Sequence, residues 1–115
     1  MEIKRMTAEM DYVPVDFQVR NFGNSCFEMM QNKNVVREES GERVIYKAET
    51  TLQTAIITTK SEGVVALIRM VYSQDDEFAL INKGISDPLN NDYIRYREYV
   101  NWCKEQANIY FSEVI

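Results

Sequence analysis

The sequence predicts an α+β fold: an N-terminal antiparallel β-meander followed by two or three helices, the last one long and amphipathic. Three observations carry this. Short β-branched runs separated by Gly and Asn turn signals fill the chain up to residue 59. Helix-capping residues recur after it. From Tyr93 to Val114, apolar or aromatic residues recur at alternating spacings of three and four, the stripe of a helix. With 115 residues a single domain is expected, mainly β over 1–59 and mainly α over 60–115.

Met1 to Met6 alternates enough for a short strand or arm. Asp11 to Asn21 reads as extended, and Pro14 confines it to an edge or a bend. Gly23-Asn24 signals a turn, after which Cys26 to Met30 runs back as a hairpin. Asn32-Lys33-Asn34 signals another turn. Val35 to Glu39 and Arg43 to Ala48 flank Ser40-Gly41, the clearest hairpin signal in the chain. Thr50 to Thr59 is a further strand by its β-branched content.

Val64 to Tyr72 fits either period. Ala66, Leu67, Arg69 and Met70, with Ser61 as cap, favour a helix over a strand. Ser73 three residues before Asp76 forms a capping box, and Asp75, Asp76 and Glu77 complement the helix dipole. Gly84 is placed to end that helix, and Ser86-Asp87-Pro88 bends the chain. Asn91 or Asp92 caps the last helix, which runs without Gly or Pro to Ile115.

The formal net charge of −5, without a basic cluster, argues against a DNA-binding role. No signal peptide is read at the N-terminus, and Arg69 interrupts the longest apolar stretch well short of a membrane span. The chain has no histidine, which removes the commonest general base and metal ligand. Cys26 and Cys103 read as free core thiols, and Asp75, Asp76 and Glu77 as a helix start, not a metal site. The expectation is a non-enzymatic protein with no catalytic residue, metal or cofactor.

Two surfaces on the last helix are candidates. Tyr93, Tyr96, Val100, Cys103, Ala107, Tyr110 and Val114 form an apolar stripe suited to an oligomer or partner contact. Arg95, Tyr99 and Trp102 interleave a cation with aromatic faces, a composition that can hold a nucleotide.

Residues 17–107 also resemble small proteins of tailed-phage genomes encoded near tail and fibre genes. The resemblance rests on Val44 to Leu52, on Ala66 to Gly84, and on Asp92 with Tyr93, Tyr96, Tyr99, Cys103 and Lys104. It implies a phage accessory or virion protein acting by binding: a tail component or assembly factor contacting itself or phage tail proteins. The alternative, motivated by the Arg95, Tyr99 and Trp102 face and the small acidic chain, is a phage counter-defence protein that sequesters a host signalling nucleotide or blocks a host defence protein. Either role puts the protein in the virion or the host cytoplasm.

Overall fold

A computed structural model of the chain describes residues 2–111. The order is β1 (Glu2–Met10), β2 (Phe17–Gly23), β3 (Cys26–Ser40), β4 (Arg43–Ile56), α1 (Lys60–Arg69), α2 (Gln74–Ser86) and α3 (Asn91–Tyr110). The α+β class and the N-terminal meander are as the sequence predicts. The chain divides into two compact units, Met1–Ile56 and Ile57–Ile115.

In the first unit the strands lie in the order β1-β4-β3-β2, every neighbouring pair antiparallel. β2, β3 and β4 are the meander. β1 pairs with β4 across the sheet, so the chain from Met10 to Phe17 must cross from one edge to the other, the connectivity of a Greek key. That crossing explains Pro14, which lies in the connection and is buried there.

Asn32 ties the crossing down. Its backbone N–H donates to the Asp16 carbonyl at 2.9 Å and its side-chain Nδ2 to the Val15 carbonyl at 2.7 Å. Its Oδ1 accepts from the hydroxyl of Thr50, its register partner on β4, at 2.7 Å. Both side chains are nearly fully buried and satisfy each other.

The turn expected at Asn32-Lys33-Asn34 is instead a β-bulge within one long strand. Lys33 pairs with Glu49 and Val36 with Lys47, so β3 carries one residue more than β4 over this stretch. Asn34 takes φ 53° and its Nδ2 donates to Glu49 Oε2 at 2.9 Å. Asn marks positive φ in a bulge as readily as in a turn, which is why the two read alike. The first hairpin turns through Asn24 and Ser25, both at positive φ, and the second closes with Ser40 opposite Arg43.

In the second unit the helix starts differ from the sequence reading by one or two residues. Thr59, not Ser61, caps α1, its hydroxyl accepting from Glu62 N at 3.2 Å. Asn90, ahead of the expected Asn91 or Asp92, caps α3, its Oδ1 accepting from Asp92 N and Tyr93 N at 3.0 and 3.2 Å. The Ser73–Asp76 capping box of α2 forms as predicted, with bonds of 3.1 and 3.4 Å. Such caps contribute about 0.5–2 kcal/mol each.

Gly84 does not end α2, which continues to Ser86. A Cβ at Gly84 would lie 2.3 Å from the Tyr93 ring, so the glycine lets that ring press onto the helix backbone. Gly63 serves α1 the same way beneath the ring of Phe111, where a Cβ would lie at 2.4 Å.

Two buried amide side chains on the sheet give opposite expectations. Asn32 is fully bonded, whereas Gln53, completely buried on β4, has no hydrogen-bond partner for either amide atom among the described residues. An unpaired buried polar group costs about 1–3 kcal/mol. Asn32→Ala should therefore lower the urea midpoint by the equivalent of about 1–3 kcal/mol, while Gln53→Met should raise it. A Gln53→Met midpoint at or below wild type would show that the amide is satisfied in solution.

Candidate functional site

The three helices meet on one carboxylate. Glu77, in the first turns of α2, accepts from Arg69 Nη1 at the end of α1 and from the Tyr96 hydroxyl on α3. The Arg69 and Glu77 side chains are 22% and 16% exposed, so this pair is largely shielded from water. Burial alone would push the Glu77 carboxyl up, but the Tyr96 hydroxyl and the Arg69 guanidinium together hold it below its ordinary value of 4.5. Tyr96 responds the other way, its pKa raised by burial and by donating to a carboxylate.

A row of rings runs beside this clamp. Tyr72 meets Tyr96 edge-on, with centroids 5.3 Å apart, and approaches Tyr99 at 5.7 Å. Tyr99 and Trp102 stack at 5.6 Å with an interplanar angle of 24°. Each such contact adds about 0.5–1.5 kcal/mol beyond area burial. The Tyr99 hydroxyl also donates to the Leu67 carbonyl at 2.6 Å, joining α3 to α1.

This geometry decides where the residues singled out in the sequence lie. Tyr96, Cys103 and Ala107 are buried, and Tyr93 and Val100 are half-buried. Tyr110 is 41% exposed, and Val114 lies outside the described residues. The inner part of the stripe is thus occupied within the chain.

Arg95, Tyr99 and Trp102 share one face of α3, with Arg95 exposed and the two rings half-buried. The Tyr99 and Trp102 rings stack on each other, leaving no gap between them for a base. Arg97, on another face, lies over the Tyr93 ring at 5.8 Å.

The surface that the sequence reading missed is on α2. Phe78, Ile81 and Ile85 follow one another at helical spacing and are 57%, 41% and 77% exposed; Leu89, just past the helix, is 81% exposed. Gly84 is the only buried residue of the helix. The signal was present as a three-and-four spacing, but a short helix with such a stripe normally turns it inward. Here Glu77 and Gly84, on the neighbouring side of α2, are held against α3, and the stripe is left facing solvent.

Burial pushes the Cys103 thiol up to about 12, so it stays protonated and non-nucleophilic near neutral pH. Among the described residues no three His, Cys, Asp or Glu side chains are grouped to hold a metal ion. Among the described residues no helix is long and apolar enough to cross a membrane. Comparisons with family models, with curated proteins and with solved structures find no match.

The clamp should show in the pH dependence of stability. A carboxyl held low in the folded state stabilises fully above its unfolded value and loses that contribution as pH falls through the folded value. Wild type should therefore exceed Glu77→Gln in urea stability at pH 7, and the gap should shrink below about pH 4.5. A gap that stays constant into acid would mean that Glu77 is not the titrating partner.

Proposed function

We propose that this chain is a non-enzymatic binding protein that works through protein–protein contact, with the exposed face of α2 as its principal contact surface. The observation that carries this reading is the row Phe78, Ile81, Ile85 and Leu89, four large apolar side chains left in water on consecutive turns. A contiguous exposed apolar patch rimmed by polar residues is characteristic of an interaction site. The resemblance to small tailed-phage proteins supports a virion or assembly setting, as a tail component or an assembly factor.

The nucleotide-sequestering alternative would use Arg95, Tyr99 and Trp102. Two features favour the contact reading over it: the Tyr99–Trp102 rings close on each other, and the Tyr99 hydroxyl is engaged by Leu67.

Native mass spectrometry of the full chain, taken directly from extract of its own host system, tests the proposal. Wild type and the surface variant Glu105→Ala should carry the same bound protein mass, and Ile85→Asp should lose it while keeping its circular dichroism. Retention of that mass by Ile85→Asp, or a bound mass of nucleotide size lost in Arg95→Ala, would move the contact elsewhere. Val100→Asp, which places a carboxylate at a half-buried position, should instead lower the unfolding midpoint.

A further inference from the structure

The charge around the α2 face specifies its partner, on the reading that this face is the contact surface. Four acids, Asp75, Asp76, Glu77 and Asp87, lie on or beside α2, against one cation, Lys83. Glu77 is neutralised by Arg69, and Lys83 lies 4.0 Å from Asp92 on α3. Asp75, Asp76 and Asp87 are exposed and form no ion pair among the described residues. Asp76 closes the capping box with Ser73 on the far side of α2. Asp75, three residues before Phe78, and Asp87, between Ile85 and Leu89, place a carboxylate with no ion pair among the described residues at each end of the apolar row.

This arrangement disfavours a second copy of the chain. An antiparallel pair of α2 helices that sets Phe78 against Ile85 of the other copy also brings Asp75 beside Asp87. A parallel pair brings each acid against itself. Like charges brought together at an apolar contact oppose association, and an anionic lipid surface meets the same repulsion. An amphipathic helix whose apolar side is flanked by Lys or Arg meets both requirements, filling the row and pairing with its ends.

We propose that the α2 face docks a basic amphipathic helix of a partner protein, through Phe78, Ile81, Ile85 and Leu89 with Asp75 and Asp87 reading the flanking cations. The apolar row supplies the area and the carboxylates select against neutral or acidic helices.

The test uses the full chain and two labelled peptides of about 18 residues, or five helical turns. Both share a Leu face, one flanked by Lys and the other by Glu, and binding is followed by fluorescence anisotropy. The Lys-flanked peptide should bind at least about tenfold more tightly, the preference shrinking as salt rises above about 0.15 M. Phe78→Ser with Ile85→Ser should abolish binding with unchanged circular dichroism, and Asp75→Asn with Asp87→Asn should erase the preference while leaving residual binding. Equal binding of the two peptides, lost in the Ser variant, would overturn the basic partner but leave α2 as a contact face. Binding of the Lys peptide that survives the Ser variant, or no binding of either, would overturn the proposal. So would a wild-type dimer in sedimentation that the Ser variant dissolves, because the occupant would then be a second copy.

Discussion

The helical unit depends on where one carboxylate is held. Glu77 receives a guanidinium from α1 and a phenol from α3, so three helices with modest apolar content are fixed by a single shielded group. A shielded ion pair contributes little by itself once desolvation is subtracted, but leaving one of its members unpaired is costly. Its main effect is therefore orientation. With Glu77 turned towards α3, Gly84 comes under the Tyr93 ring, and the rest of α2 has no freedom to rotate.

The exposed row follows from that rotation. A helix of 13 residues with Phe78, Ile81 and Ile85 on one side would normally bury them. Burying them here would turn Glu77 outward, strip Arg69 and Tyr96 of their partner and lift Tyr93 from the glycine. The chain keeps the polar clamp and leaves the apolar side in water. Four large apolar side chains are thereby left exposed along and just past one helix, with Asp75 and Asp87 at its ends.

The sheet unit solves a different problem by similar means. Its outer strand β1 joins β4 only if the following segment crosses the sheet, and such a segment brings backbone carbonyls over a buried face. Asn32 answers for two of them and is itself completed by Thr50. Gln53 has no such arrangement, and the contrast shows that burial of an amide and its satisfaction are separate outcomes on one sheet.

By itself the sequence determined what depends on neighbours along the chain. The hairpins at Asn24 and Gly41, the Ser73–Asp76 capping box and the period of α3 follow from local backbone preference and spacing, which fix the α+β class. Helix starts were legible to within a residue or two because Thr59 and Asn90 stand beside other residues able to cap. Tertiary structure alone decided the rest. Asn34 forms a bulge because the strand beyond it finds Lys47 and Tyr46 to pair with, and local signals cannot report a partner in another strand. The α3 stripe reads as a contact surface in sequence, yet its inner members Tyr96, Cys103 and Ala107 are spent on the chain itself. The α2 stripe shows in sequence only as a helical spacing, and the fold leaves it outside. Periodicity shows that a helix has two sides. Which side meets the protein was settled by a carboxylate, a guanidinium and a phenol distant in sequence, and by one glycine small enough to admit a ring.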